Sequence, residues 1–340
     1  MVATSSERSA TVVAEIGVNH NGSLGLAKDL IVLAHEAGAD YAKFQTFRAD
    51  ALASKSAPLA AYQKASARGA SQREMLSQLE LTERDFLDLQ VFSNEVGIGF
   101  LTTAHDMESA IFVLKMELDF VKIPSGDITN LPFLELVARQ SSPILLSTGM
   151  AELAEVRSAI NVLTNSGFPI SKITVLQCTT EYPAPIENAN LRAMVAMGEE
   201  LGVGFGYSDH TLGTISALAA VAMGAQVVEK HITSDRALPG PDHRASLEPA
   251  EFAEMVSGIR TIELALGSEK KGVQLSEFKN RELVRKSIVA KRNIKAGDVF
   301  TGDLLGVMRP GIGISPMEWH AVIGTRAVRD YRQDEPIEVL

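Results

Sequence analysis

Short apolar runs rich in β-branched residues recur along most of the chain, and each run ends in polar residues or glycine. There are eight of them: TVVAEIG, YAKFQTF, GIGFLTTA, FVKIPSG, PILLSTG, ITVLQCT, GVGFGYSD and QVVEKHI. Each run predicts a buried strand, and the segments between them predict helices. In the first such segment the predicted buried positions are Leu26, Leu30, Leu33 and Ala37, and Gly38 predicts the end of the helix. Eight strand–helix units over about 265 residues predict an α/β fold, the (β/α)8 TIM barrel.

Two regions depart from this rhythm. The stretch from Arg48 to Leu79 is too long for an ordinary loop between a strand and its helix, so we expect it to lie over the mouth of the barrel. After a last helix over Pro249–Leu266, closed by Gly267, short apolar runs and the KAGD and RPGIG turns replace helical periodicity. We therefore predict a barrel domain over 1–270, a linker over 271–284 and a small β-rich domain over 285–340. A core that small rarely stands alone, so we expect it to pack against a barrel.

The composition narrows the class of protein. Of 340 residues, 46% are hydrophobic and 22% charged, which is typical of a globular enzyme. The net charge of −10 and the absence of a long basic run make nucleic acid and anionic membranes poor partners. The N-terminal residues do not have the pattern of a signal peptide, and no apolar run is long enough to span a membrane. The single Cys178 excludes an intrachain disulfide and a cysteine-based zinc site, so we expect a cytoplasmic protein.

Polar residues cluster where the predicted strands end, and in a TIM barrel the carboxyl ends of the strands build the active site. Lys43 and Lys122 lie inside apolar strands. Because burying an unpaired ammonium is expensive, we expect each to have an anionic substrate or a buried carboxylate as its partner. The alternative is that the strands are misassigned and both lysines lie on the surface.

Two histidines end the last two predicted strands, which are neighbours in a closed barrel. His210, with Asp209 beside it, and His231 could together bind one divalent ion as neutral imidazoles and leave positions open for water and substrate. The alternative is that ordinary hydrogen bonds satisfy both rings. Taken together, the strand ends suit one anionic substrate and one metal ion.

The motifs that carry these residues resemble the sialic acid synthase family. They are AEIGVNHNGS, AKFQTF, VKIPSGD, LSTGM, QCTTEYPAP, YSDHTLG and VVEKHITSDRALPGPDHRASLEP. The later segment SIVAKRNIKAGDVFTGDLLGVMRPGIGISP resembles the antifreeze-like (SAF) domain of that family. The resemblance covers essentially the whole chain. It implies an enzyme that condenses phosphoenolpyruvate with an N-acylated amino sugar to a nine-carbon 2-keto-3-deoxy acid and phosphate.

The resemblance also implies a role for each matching position. The catalytic residues are Glu15, which orients the attacking water or the tetrahedral intermediate, and Lys43 and Lys122. The implied phosphoenolpyruvate-binding residues are Lys43, Thr103, Lys122, Ser125, Ser147 and Ser208. The implied sugar-binding residues are Gln45, Tyr182, Glu229, Asp242 and Arg309. His210 and His231 match the ligands of a divalent metal, with Mn²⁺ expected and Mg²⁺ or Co²⁺ as alternatives. Arg309 matches an arginine that the small domain sends into the neighbouring subunit's site, which implies a domain-swapped homodimer.

One departure bears on the substrate. Where members of the family often have an asparagine and an apolar residue before the YP pair, this chain has Thr180 and Glu181, whose role the sequence does not determine. The TTEYPAP and FQTFRAD segments and the APLAAYQK…SQREMLSQLELT insertion are similar to the branch that makes N,N′-diacetyllegionaminate from 2,4-diacetamido-2,4,6-trideoxymannose. The alternative is N-acetylneuraminate synthesis from N-acetylmannosamine.

Two other classes of protein compete with this interpretation. A related barrel that makes 3-deoxy acids from phosphorylated aldoses would need a second basic cluster for the sugar phosphate, and it gives no reason for the small domain. A non-catalytic carbohydrate-binding protein would have no need for Glu15, Lys43 and Lys122 together with the two histidines.

Overall fold

The computed structural model describes residues 9–59 and 71–339. It divides into two compact units, Met1–Gly267 and Ser268–Leu340. The first eight residues of the N-terminal segment judged for a signal peptide, and residues 60–70 of the long second loop, lie outside the described residues. In the described part of the chain, no helix is long and apolar enough to cross a membrane.

Eight parallel strands close into a barrel in the first unit, in the order of the chain. They are β1 (Thr11–Gly17), β2 (Tyr41–Thr46), β3 (Gly99–Ala104), β4 (Val121–Ile123), β5 (Ile144–Ser147), β6 (Ile173–Gln177), β7 (Gly204–Asp209) and β8 (Val227–His231). The last strand pairs with the first, in parallel. Each strand falls within one of the eight predicted runs, and the predicted TIM barrel is confirmed. The runs lack the strict alternation of polar and apolar residues found in half-exposed strands, because a parallel barrel strand is buried on both faces.

Helices surround the barrel and begin and end at local sequence signals. They are α1 (Leu24–Glu36), α2 (Ala49–Leu52), α3 (Gln72–Ser77), α4 (Glu83–Val96), α5 (Met107–Leu114), α6 (Leu131–Val137), α7 (Leu153–Asn165), α8 (Leu191–Leu201), α9 (Ile215–Ala222) and α10 (Pro249–Leu266). The capping box of Thr82 and Asp85 starts α4, and Gly97, with a φ of 93°, ends it. The predicted last helix, over Pro249–Leu266, is confirmed.

The buried face of α1 differs from the predicted one. The buried residues are Ala27, Leu30, Ile31 and Ala34. Leu26 and Leu33 are only partly buried and pack at the edge of the core. Leu30 and Ala37 are buried as predicted, whereas Ala27, Ile31 and Ala34 take the inward positions expected of Leu26 and Leu33.

The long stretch after β2 contains α2 and α3 in its described part. Phe47, Met75 and Leu79 pack with Val18 in an apolar cluster of their own, apart from the main core. Leu52, Gln72, Met75, Leu76 and Leu79 line a cavity at the carboxyl ends of the barrel strands. The described part of this stretch therefore borders the barrel mouth, as predicted.

The second unit has its own small core. It contains α11 (Phe278–Val284), β9 (Ser287–Ala290), β10 (Leu305–Met308) and α12 (Trp319–Val322). The two strands are antiparallel. Single bridges such as Ile294 to Tyr331 extend the β structure. Buried Ile288, Phe300, Leu305 and Tyr331 form the centre of this core. The segment predicted as a linker contains α11.

Candidate active site

A cavity of about 340 Å³ lies at the carboxyl ends of the barrel strands. It brings together the site residues predicted in the first unit, which come from strands far apart in the sequence. Those lining it are Glu15, Lys43, Gln45, Thr103, Lys122, Ser125, Ser147, Tyr182, Ser208, His210, Glu229, His231 and Asp242. The remaining predicted site residue, Arg309, lies exposed in the second unit, directly after β10.

Lys43 is buried in the wall of this cavity among polar partners. Strand pairing sets Glu15 of β1 beside Lys43 of β2. The Lys43 Nζ lies 2.6 Å from Glu15 Oε2 and 3.4 Å from Glu229 Oε2. It also donates to Thr103 Oγ1 at 3.0 Å. With 3% of its side chain exposed, Lys43 is not a surface lysine, and its expected carboxylate partner is present.

Lys122 has a similar arrangement two strands further round the barrel, on β4. Its Nζ donates to Ser147 Oγ at 2.7 Å and lies 3.6 Å from Glu229 Oε1. Glu229 in turn accepts a hydrogen bond from Ser208 Oγ at 2.9 Å. Glu229 thus lies between the two lysines, and the four charged side chains cancel in sign.

The two carboxyls of this cluster differ in proton affinity. Burial raises the pKa of Glu15, and the nearby Lys43 only partly offsets this effect. Burial also opposes the charged form of Glu229, but Lys122 and Lys43 outweigh it and lower the pKa of Glu229 to about 2. Glu229 is therefore a fixed negative charge, whereas Glu15 is the carboxyl suited to exchange a proton.

The two histidines converge at the other side of the cavity. Their ring centroids are 5.6 Å apart. The ring of Tyr182 lies 4.1 Å from His210 and 5.6 Å from His231. His210 Nδ1 donates to the Thr179 carbonyl oxygen at 2.6 Å, since a carbonyl can only accept, and this leaves Nε2 as an acceptor, 3.5 Å from Ser208 Oγ.

The pair fits a divalent metal ion. Burial lowers the pKa of His210 to about 4 and that of His231 well below its usual range, so both rings are neutral at pH 7, the form that binds metals. Among the described residues, the Nδ1 of His231 is buried without a hydrogen-bond partner. Within residues 9–59 and 71–339, no group of three or more His, Cys, Asp or Glu side chains is arranged around a common point.

Asp209, which stands beside His210 in the sequence, is not part of this pair. Its carboxylate forms an ion pair with Lys230 at 2.8 Å, and both side chains are fully buried. It also accepts hydrogen bonds from Thr211 and Ser216. Successive side chains of a strand point to opposite faces, so Ser208 and His210 reach the cavity and Asp209 does not.

Some other polar residues at the strand ends hold the backbone rather than line the cavity. Asn19 donates to the Ile232 carbonyl oxygen and to Ser246 Oγ, both at 2.9 Å. Thr102 shares a hydrogen bond of 2.7 Å with Thr46. Gln177 donates to the carbonyl of Ala189. Their partners come from other strands and loops.

Of the neighbouring residues Thr180 and Glu181, one faces the cavity and the other faces solvent. Thr180 lines the cavity, and its Oγ1 lies 3.5 Å from Ser125 Oγ. Glu181 is exposed and is not part of the lining. Thr180 is thus the member of the pair that faces a ligand bound in the barrel.

Cys178 and His105 are among the lining residues that were not predicted as site residues. Cys178, expected to be a small buried side chain, is buried and also borders the cavity. His105 borders it as well. The sequence contained a signal for His105, because it directly follows the predicted strand GIGFLTTA, one residue past the run itself.

Comparison with known proteins places this site in a family. Residues 30–271 match the profile of the NeuB family, and residues 285–338 match that of the SAF domain. The chain belongs to the NeuB family. The family and the SAF domain that the motifs resemble are therefore confirmed.

Three named proteins illustrate what this NeuB-family chain is similar to. It is 46% identical over 327 residues to the N,N′-diacetyllegionaminic acid synthase of Campylobacter jejuni, covering 96% of this chain and 98% of that protein. It is 45% identical to the synthase of the same name from Legionella pneumophila, covering 93% and 89%. The crystal structure of the N-acetylneuraminic acid (sialic acid) synthetase of Leptospira borgpetersenii in complex with citrate has a TM-score of 0.72 at 31% identity, covering 80% of this chain and 90% of that one.

Proposed function

We propose that this NeuB-family enzyme condenses phosphoenolpyruvate with 2,4-diacetamido-2,4,6-trideoxymannose to form N,N′-diacetyllegionaminate and phosphate. The observation that carries the proposal is the cavity in which two buried lysines lie opposite two neutral histidines. Identities of 46% and 45% to two N,N′-diacetyllegionaminic acid synthases support the choice of sugar. N-acetylneuraminate synthesis from N-acetylmannosamine is the second candidate, supported by the synthetase of that name at 31%.

Phosphoenolpyruvate binds on the lysine side of the cavity. Lys43 and Lys122 supply positive charge, and the hydroxyls of Thr103, Ser125, Ser147 and Ser208 supply hydrogen-bond donors around them. The lysines are held by hydrogen bonds before substrate arrives, so little reorganisation is needed when the anion binds. The lysines and hydroxyls orient the enol carbon of phosphoenolpyruvate toward the sugar. Holding the two reacting carbons in this geometry lowers the barrier to their reaction.

The metal would be held by His210 and His231. When bound there, a divalent ion, Mn²⁺ with Mg²⁺ or Co²⁺ as alternatives, supplies Lewis-acid polarisation of the sugar aldehyde. The Thr179 carbonyl fixes the orientation of the His210 ring through Nδ1. Tyr182, Gln45, Glu229 and Asp242 contact the sugar around the histidines.

Glu15 handles the proton of the attacking water. In the reaction C3 of phosphoenolpyruvate joins C1 of the open-chain sugar, water adds at C2, and phosphate leaves by C–O cleavage. Glu15 accepts the proton that the water loses, and the burial that raises the pKa of Glu15 makes its carboxylate a stronger base than an exposed one. Gln45 Nε2 donates to Glu15 Oε1 at 3.0 Å while Lys43 binds Oε2, so the carboxyl is fixed in orientation.

Arg309 completes the sugar site of a partner subunit in a domain-swapped homodimer. Its exposure directly after β10 leaves it available for such a contact. We also place the enzyme in the cytoplasm, because a single free cysteine, Cys178, is typical of a reducing compartment.

The test is an assay of phosphate release with Mn²⁺, phosphoenolpyruvate and each sugar in turn, with mass spectrometry of the nine-carbon product. The expected result is a kcat/KM about tenfold or more higher for the diacetamido sugar than for N-acetylmannosamine. A preference for N-acetylmannosamine would establish the second candidate. Release only with a phosphorylated aldose, or none with any sugar, would overturn the proposal, and Glu15→Gln serves as the inactive control.

A further inference from the structure

His105 lies in the wall of the cavity, and one nitrogen of its ring is buried there. The residue follows β3, and its side chain lines the same cavity as Lys43 and Lys122. Its Nε2 is shielded from solvent and has no hydrogen-bond partner among the described residues. A buried polar atom without a partner costs free energy, so such a nitrogen in a cavity wall indicates that a ligand completes it.

The charges near His105 indicate what kind of ligand this is. Lys43 projects from β2 and Lys122 from β4, on either side of β3, and Asp106 follows His105 in the chain. Lys43 already binds Glu15, Glu229 and Thr103, and Lys122 binds Ser147 and Glu229. The positive charges of the two lysines and the negative charges of the two glutamates cancel. Each additional hydrogen-bond donor in the cluster therefore strengthens the binding of an anion. Nε2 of His105, which has no partner among residues 9–59 and 71–339, can supply one such donor.

We propose that His105 is a further phosphoenolpyruvate-binding residue, whose Nε2–H donates a hydrogen bond to the phosphate group. This inference rests on the proposed function and adds a ligand contact to it. Lys43, Lys122 and His105 would then surround the phosphate from three adjacent strands, and the histidine is a binding residue with no part in proton transfer to the sugar.

The free and bound states of His105 differ in charge. Burial, together with Lys43 and Lys122, lowers the pKa of His105 to about 3, whereas Asp106 opposes this weakly. The ring is therefore neutral in the free cavity. A phosphate dianion held by the lysines reverses the sign of the field at the ring and favours the imidazolium form. Binding of phosphoenolpyruvate is thus accompanied by proton uptake at His105.

The experiment compares His105→Phe, His105→Gln and the wild-type enzyme. Phenylalanine keeps a ring but removes the donor, whereas glutamine keeps a neutral amide donor close to the position of Nε2. The exposed His35 on α1 supplies the control His35→Phe. Calorimetric titration of phosphoenolpyruvate into the metal-loaded protein, in buffers of different ionisation enthalpy, measures both affinity and proton uptake, and steady-state assays give the KM of each substrate.

For His105→Phe we expect phosphoenolpyruvate binding to weaken about tenfold or more, with the KM of the sugar unchanged. His105→Gln should retain most of the affinity but lose the proton uptake, and His35→Phe should match the wild type in both. Wild-type affinity and proton uptake in His105→Phe, or an equal rise in both KM values with a lower melting temperature, would overturn the inference. Failure of the proposed function looks different, because the wild type itself would then neither bind phosphoenolpyruvate nor release phosphate.

Discussion

Asp209 and Lys230 form an ion pair of 2.8 Å in which both side chains are fully buried. The two residues are partners in the register of β7 and β8, and each directly precedes a histidine of the cavity. The pair therefore ties together the strand ends that carry His210 and His231. A buried pair adds little net stability compared with apolar residues, but removing one partner leaves a buried charge alone.

Replacing one member of this pair should destabilise the barrel strongly. For Lys230→Met we expect a loss of about 3–5 kcal/mol in the free energy of unfolding, because Asp209 keeps its burial and loses its counterion. Denaturant unfolding of the full chain measures it. The control is Lys295→Met, which breaks a surface pair with Asp330 that is 79% and 60% exposed and should leave unfolding unchanged. Equal stability of the Lys230 variant and the wild type would contradict the expectation.

Asp242 should make stability depend on pH. Burial and the neighbouring Glu15 raise the pKa of Asp242 to about 7. The folded chain then holds a proton that the unfolded chain has lost between about pH 4 and 7, so stability decreases as pH rises through this window and the cost is complete above it. Asp242→Asn should therefore melt at least about 3 °C higher than the wild type at pH 8, with a smaller gain at pH 5.

The control for this effect is Asp88→Asn, on the exposed side of α4. Thermal unfolding of both variants at the two pH values is the measurement. A gain for Asp242→Asn that is larger at pH 5 than at pH 8 would have the wrong sign and would refute the assigned cause. Since Asp242 is also proposed to contact the sugar, the stabilised variant should lose activity.

Metal removal should abolish turnover reversibly. Chelation with EDTA is expected to stop phosphate release, and Mn²⁺, Mg²⁺ or Co²⁺ should restore it, because the two neutral imidazoles are suited to one such ion. His231→Gln should weaken metal binding, measured by calorimetry, by about tenfold or more. His320→Gln, in the second unit, is the control. Full activity in EDTA, with no metal in the purified protein, would count against the metal site.

Mixed dimers test whether Arg309 serves a neighbouring subunit. Glu15→Ala and Arg309→Ala chains should each be inactive alone, but a mixed dimer contains one barrel with an intact Glu15 and a partner's intact Arg309. After random exchange of equal amounts we expect about a quarter of wild-type activity. Mass spectrometry of differently tagged chains verifies the exchange. Exchanged dimers without activity would show that the site is not shared.

Much of this site was accessible from the pattern of single strands. The strand YAKFQTF predicts that Lys43 is buried, because its neighbours on both sides are apolar, and the burial of an ammonium predicts its carboxylate partner. The direction of Asp209 could also have been predicted, since it alternates with Ser208 and His210. That Nε2 of His105 lacks a partner among the described residues could not have been predicted, because the absence of a partner depends on every residue around it.

The sequence by itself determined the strands, the last helix, the family and the residues available at the strand ends, because these depend on neighbours within a few positions along the chain. Tertiary structure alone decided that Glu229 of β8 lies between Lys43 of β2 and Lys122 of β4, that Glu15 and Glu229 differ in pKa, and that α1 turns its alanines inward. The reason is physical: charge balance and burial are set by groups brought together when the barrel closes, and the distances between them are encoded in no single segment.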